Sequence, residues 1–269
     1  MYEILTNRSV LEIAGIDAGK LLQNLITNDL TANDYCYTYM LNNQGRYLFD
    51  FFIIKLSSEK FLIDISQTIS AQFIEKLLMY KLRAKVECFD LSDQYSIIYS
   101  KNKPEFTTIF SSQDPRYQQL GVRSIVNKAV KFVSESQPDL YLNDKYNFAI
   151  PDGDIDLIHA KSIPVEYGAE ELGAISYDKG CYIGQEVISR TKYQGTIRKK
   201  IFKIYAKTDL SDKLKTNEIV GGSKVIGRVC STYKTQGLAL IREENYFACS
   251  NELITVDDIE ITLSIPEWR

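Results

Sequence analysis

The stretch Ile175–Arg190, I-S-Y-D-K-G-C-Y-I-G-Q-E-V-I-S-R, gathers side chains whose types and spacing could do chemistry. Cys181 stands between Gly180 and Gly184, with Lys179 two positions before it and the amide–carboxylate pair Gln185-Glu186 after it. Either glycine permits positive φ or a close backbone approach. Ile183, Val187 and Ile188 fall at helical spacing, so a helix is expected to begin near Gly184. Cys181 would then sit just ahead of a helix N-terminus, where the dipole and Lys179 favour thiolate over thiol. The same spacing also fits a blander structure, a Gly-bounded turn around a buried core cysteine.

The totals narrow the chemistry. One histidine, His159, supplies little for metal or triad chemistry. The five cysteines (36, 88, 181, 230, 249) are far apart and never form C-x-x-C, so neither a disulfide framework nor a zinc site is indicated. A net charge of -3 exerts no global pull on nucleic acid or acidic membranes, so any anion site must be local. There is no signal-peptide pattern and no apolar run long enough to span a bilayer, so a reduced cytoplasmic setting without a membrane partner is expected.

The elements that must position these residues are read from periodicity. Val10–Ile13 is expected as a strand, followed by a helix over 18–30 capped by Asp17. Strands are expected at Tyr35–Leu41 and Tyr47–Leu56, joined by the turn Asn42-Asn43-Gln44-Gly45, and again at Phe61–Ile65. A helix over Gln67–Leu82 follows, then strands at Lys85–Phe89, Tyr95–Tyr99 and Gly121–Val126. The chain turns polar around 127–144, with a helix from Pro138 through Tyr146. Beyond 195–200, strands at 201–206, 224–230, 237–241 and 259–265 alternate with turns and little helical period, the pattern of a small closed β unit. The fold class is α+β, with a mixed region over 1–195 made of two interleaved subdomains and a β-barrel over 196–269.

From Ser189 to Thr208 the chain carries Arg190, Lys192, Arg198, Lys199, Lys200, Lys203 and Lys207 with no acidic residue. This run fits a basic strand face, a nucleic-acid surface or a polyanion pocket. Arg46 with Asp50, the Asp114-Pro115-Arg116 run with Arg123, and Tyr80–Val86 are further charged segments, each of which fits a purely structural pairing.

Five segments in order carry a resemblance: Gly15–Leu30 with its Thr27-Asn28-Asp29, Leu41–Asp50, Tyr80–Val86, Asp114–Arg123 and Ile163–Arg198. The last holds Pro164-Val165-Glu166, the string K-G-C-Y-I-G-Q-E at 179–186, and Arg190–Gly195. Gly227-Arg228-Val229 and Leu238–Ile241 match a terminal barrel. In these segments the chain resembles the folate-binding YgfZ family, relatives of the glycine-cleavage T-protein and of the mitochondrial iron–sulfur assembly factor of the same type. The resemblance implies a three-lobed ring of two mixed α+β subdomains and a C-terminal β-barrel around a hole that takes tetrahydrofolate or a derivative. It also implies a role in assembling or maintaining iron–sulfur cluster proteins, tRNA-modifying enzymes among them.

By the same resemblance Cys181 is the functional thiol, framed by Lys179, Gly184, Gln185 and Glu186. Glu166 resembles a carboxylate placed beside the pterin, able to accept paired N–H bonds. Arg190 and Lys192 are candidates for the ligand's glutamate carboxylates. Where the T-protein has two adjacent aspartates this chain has Phe49-Asp50, so the place of the catalytic carboxylate falls either to Asp50 or to the position that Phe49 fills. The reading is a folate-binding accessory factor whose partners are a reduced folate and iron–sulfur client or assembly proteins, with no direct nucleic-acid contact. Its rivals are a folate-dependent one-carbon (aminomethyl) transferase with Asp50 as base, and an RNA-binding module using the 189–208 run.

Overall fold

A computed structural model describes residues 1–130, 137–211, 213–249 and 252–269. The chain opens with β1 (Tyr2–Ile4), β2 (Arg8–Ala14), α1 (Ala18–Leu25), β3 (Tyr35–Leu41), β4 (Tyr47–Ser57), β5 (Lys60–Ser66), α2 (Gln67–Lys81) and β6 (Glu87–Asp90). Strands β2 to β6 form an antiparallel sheet in the order β3-β4-β5-β2-β6. Strand β4, paired on both sides, is an almost unbroken apolar run because both of its faces are covered. Phe49, Phe51 and Ile53 pack with Phe73 and Leu77 of α2, whereas Tyr47 and Phe52 face residues of the other lobes.

The second lobe holds β7 (Tyr95–Ser100), β8 (Phe110–Gln113), β9 (Val122–Asn127) and α3 (Leu140–Asn147). Its sheet runs β1-β7-β9-β8, so the first strand of the chain is inserted here, with Tyr2 opposite Ser100. A short α4 (Gly153–Asp156), a 3-10 turn at Pro164–Tyr167 and α5 (Gln185–Gln194) lead to the third lobe. That lobe comprises β10 (Lys199–Ala206), β11 (Glu218–Gly221), β12 (Lys224–Tyr233), β13 (Gln236–Arg242), α6 (Glu243–Ala248), β14 (Ile254–Val256) and β15 (Ile259–Ser264). Its six strands close into a barrel in the order β10-β13-β12-β11-β14-β15 around Phe202, Ile204, Ile226 and Ile241.

Four sequence expectations are corrected. The helix expected over 18–30 stops at Leu25, because Ile26 bridges to Met40 and the polar run after it bonds elsewhere. Thr27 Oγ1 donates to Ala174 O at 2.7 Å, and Asn28 Nδ2 donates to Tyr37 O and Gly173 O, so these side chains compete with helix propagation. Asp17 does not cap α1; its carboxylate accepts the Lys85 backbone N–H at 2.8 Å. The barrel also contains a helix, α6, whose single turn and a half is too short to show a period. The polar stretch at 127–144 lies partly outside the described residues, and the helix expected from Pro138 begins at Leu140.

The lobes meet on buried charge as well as on apolar surface. Asp64 of the first lobe accepts Arg8 Nε at 2.6 Å on one oxygen and Arg123 Nη2 at 2.6 Å on the other. Burial alone would raise Asp64, yet Arg123 and Arg8 outweigh it and hold the carboxyl below its ordinary range. Arg116 grips Asp114 through Nε and Nη2 and reaches Asp152 Oδ1 at 2.9 Å. Lys145 Nζ bonds Asp156 at 2.7 Å, and Asp156 accepts the Ser231 hydroxyl from the barrel. Trp268 adds a clasp: its Nε1 donates to Phe148 O at 2.8 Å while the ring lies over Gly168, where a Cβ would collide with it.

Candidate functional site

The signature loop is built against the β3–β4 turn. Asn42 Oδ1 accepts the N–H groups of Gln44 and Arg46 at 2.9 Å, fixing a tight turn that ends at Gly45 with φ 68. This turn presses on Gly184, the cap of α5, whose φ is 85. A Cβ on Gly184 would lie 2.7 Å from Asn42 O and 3.0 Å from Leu41 Cβ. The second glycine of the signature therefore serves a positive φ and a close approach at once. Gly184→Ala is expected to cost about 1–3 kcal/mol in urea-unfolding stability.

Gly180 serves a different end. A Cβ built there would meet no atom within 4 Å, and the neighbouring Cys181 is exposed. The blander reading of a buried cysteine is thereby set aside. Behind the thiol the loop is pinned by Tyr182, which is buried, and by the Ile183 N–H bonded to Asn24 O at 3.3 Å. Cys181 is thus an accessible thiol on a loop whose rear is fixed.

Lys179 does not flank the thiol with charge as its spacing suggested. Its ammonium turns inward and donates to Gln23 O, Ile26 O and Asn28 O, each at 2.7 Å. Burial pulls its pKa down to about 8, against the opposing pull of Asp29 and the Cys36 sulfur. It ties the signature loop to the end of α1 and positions Cys181 from behind. Nothing in the local sequence showed those three acceptors, because they arise only when α1 stops at Leu25.

Glu166 lies on the 3-10 turn between the first lobe and the barrel. Its carboxyl is raised by burial, opposed by Lys199, Arg46 and Arg228, and it takes no protein hydrogen bond or ion pair among the described residues. The two arginines are held from behind, Arg46 Nη1 by Lys161 O at 2.9 Å and Arg228 Nη2 by the Tyr167 hydroxyl at 2.5 Å. Sequence reasoning named each of these cations in a different segment but did not bring them together around Glu166, because they come from separate elements and share no motif. A half-buried carboxylate without an internal donor fits a ligand that offers paired N–H groups, as a pterin ring does.

The remaining candidates divide. Gln185 and Glu186 form the first turn of α5, where a carboxylate suits the helix dipole, and Glu186 is exposed. Arg190 is exposed with no ion-pair partner among the described residues, so it is free to meet an anionic group. Lys192 is engaged, paired to Glu170 at 2.6 Å with its ammonium 3.7 Å from the centre of the Tyr177 ring. Asp50 is 2% exposed. It accepts the hydroxyls of Tyr37 and Tyr47 at 2.8 Å and the Gly153 N–H at 3.0 Å. Its carboxyl is raised by burial and then by Asp154, with Arg8 opposing. Asp50 therefore anchors the first lobe to α4, with both oxygens engaged. A cavity of about 850 Å³ lies in the second lobe, lined by Tyr2, Lys101, Pro104, Phe106 and Leu140 among others, and none of these site candidates borders it.

Comparisons with known proteins bear on the fold. Residues 5–99 match the GCVT N-terminal domain, and residues 198–269 match the CAF17, C-terminal beta-barrel domain. The chain is 31% identical over 219 residues to the iron-sulfur cluster assembly factor IBA57 homolog, mitochondrial, of Mycosarcoma maydis, covering 72% of this chain and 54% of that protein. The Dictyostelium discoideum homolog is 30% identical over 250 residues, covering 74% and 61%. The human iron-sulfur cluster assembly factor IBA57 is 26% identical over 302 residues, covering 98% and 84%. The chain spans between about half and three-fifths of the length of the first two of these relatives. Among solved structures, the glycine cleavage system aminomethyltransferase T from Bartonella henselae superposes with a TM-score of 0.70 at 10% identity, covering 98% of this chain and 84% of that one. The chain has the glycine-cleavage T-protein fold, two mixed α+β subdomains followed by a closed six-stranded C-terminal β-barrel.

Proposed function

We propose that this protein is a tetrahydrofolate-binding factor in the assembly or maintenance of iron–sulfur cluster proteins, with Cys181 as its working thiol. The observation that carries the reading is the exposed Cys181, open on its Gly180 side and held from behind by Lys179 and Tyr182. The names of the relatives support the iron–sulfur half of this reading, and the resemblance of the signature segments to the folate-binding family supports the folate half. Glu166 would accept N–H groups of the bound ring and Arg190 would meet a carboxylate of the ligand. A reduced folate supplies one-carbon or redox chemistry when bound. The chain's own part is to orient the ring and present a thiol that a client or assembly protein can reach. One cysteine cannot hold a cluster alone, so a cluster contact would draw its other ligands from the partner. The transferase reading is disfavoured, because Asp50 is buried with both oxygens engaged.

Two measurements test the halves separately. In a strain lacking the native protein, wild type is expected to restore an iron–sulfur enzyme's activity and Cys181→Ala to fail while keeping its melting temperature. Full restoration by Cys181→Ala would remove the thiol from the mechanism. Millimolar reduced folate is expected to raise the melting temperature of wild type but not of Glu166→Gln, by mass action on the folded state. No shift in wild type would remove the folate.

A further inference from the structure

The turn that follows α2 shows an apolar residue where neither packing nor backbone preference asks for one. Ala84 N–H donates to Lys81 O at 2.8 Å, closing a β-turn over Lys81–Ala84. Leu82 occupies its first central position with φ 47 and ψ -108. That is the first corner of a type II′ turn, a position glycine fills without strain. The leucine is also 87% exposed. A strained backbone holding an unburied leucine gives the isolated fold nothing, and such outliers collect where a surface is used.

The surroundings describe what would meet it. Met79 on α2 and Ile16 are 67% and 66% exposed. Ile16 is brought to this corner by the Asp17 N–H to Lys85 O and the Lys85 N–H to the Asp17 carboxylate. Lys81, Arg83 and Lys85 interleave with these tips, and none has an ion-pair partner among the described residues. Protruding apolar tips among unpaired cations suit a soft anionic surface, into which the tips sink while the long basic stems reach the headgroups. A pocket on a partner protein would have to match three separated tips at once.

We infer that the corner formed by Ile16, Met79 and Leu82 is a peripheral docking site for an anionic lipid surface. This departs from the expectation of no membrane contact, which rested on overall charge and on the lack of a spanning segment. Neither speaks to a local patch that lies on a bilayer without crossing it.

The test is co-sedimentation of the full chain with phosphatidylcholine vesicles, with and without phosphatidylglycerol, at low and high salt. Binding is expected only with phosphatidylglycerol present, and salt should weaken it. Leu82→Gly relieves the turn, so its melting temperature should hold or rise while its partition into vesicles falls about tenfold. Arg83→Glu combined with Lys85→Glu should fall at least as far. Equal binding by Leu82→Gly and wild type would overturn the assignment, as would equal binding to neutral vesicles. Failure of wild type to bind vesicles would overturn it too, in favour of an acidic protein surface.

Discussion

Arg116→Leu is expected to lose about 3–5 kcal/mol of unfolding free energy, the scale for removing one partner of a buried ion pair. The guanidinium is fully buried and is bound to both oxygens of Asp114, to Asp152 and to the Tyr141 hydroxyl. Leucine fills part of the volume but leaves two carboxylates in the dry interior with fewer donors. The cost is that of unpaired charge more than of a lost attraction, so adding Asp114→Leu should recover part of the loss.

The pH dependence follows. Burial would raise Asp152, but Lys145 and Arg116 outweigh it and hold the carboxyl below its ordinary range. A carboxyl whose folded pKa is depressed stabilises fully above its unfolded value and loses that contribution as pH falls through the folded one. Wild type should therefore weaken on acidification below about pH 4. In Arg116→Leu the Asp152 carboxyl loses one of the cations that depress it and takes up a proton more readily, so the gap between variant and wild type should narrow there. Urea denaturation at several pH values reads both effects, and a constant gap would contradict this account.

Lys179→Met is expected to cost about 2–4 kcal/mol, because it orphans three carbonyls that now share one ammonium. The loss should be local in form. Amide exchange should quicken at Ile183, whose N–H bonds to Asn24 O beside the anchor. Alkylation of Cys181 should proceed as before, since the thiol is already exposed, while complementation of an iron–sulfur enzyme drops because the loop no longer holds it in place. The lysine's folded pKa of about 8 lies below its ordinary 10.5. Between those values the unfolded chain holds the proton longer, so this group's contribution to stability becomes more favourable as pH rises. The gap between Lys179→Met and wild type should therefore widen from pH 7 to 10. Unchanged exchange at Ile183 would mean that Lys179 is not what fixes the loop.

Elements with strong periods were legible in the sequence. The strand Tyr35–Leu41 and the start of α5 after Gly184 are found where spacing placed them. The barrel showed through its turns. What escaped was set by contacts distant in sequence. α1 ends early because Thr27 and Asn28 find acceptors at Gly173 and Ala174, which no window around residue 28 contains. At the site, spacing marked Cys181 but not the direction of Lys179, whose partners are carbonyls and so carry no side-chain signature. Lys192 read as a free cation because its carboxylate, Glu170, lies 22 residues earlier in the chain. Asp50 read as catalytic because it aligns with the T-protein's paired aspartates, whereas its engagement by Gly153 and two tyrosine hydroxyls comes from distant parts of the chain.

The pairing of β1 with β7 brackets the whole first sheet between two strands of the second. Such a closure is non-local and slow to form, while β2 to β6 are near neighbours in sequence and can assemble sooner. Until the second lobe docks, the face awaiting it displays Arg8, Asp50 and Asp64 among its aromatic side chains. Those groups stay hydrated while the face is open, so a half-built chain is less prone to stick to its neighbours than a wholly apolar sheet would be. Charges that burden the finished interior thus guard the chain on its way there.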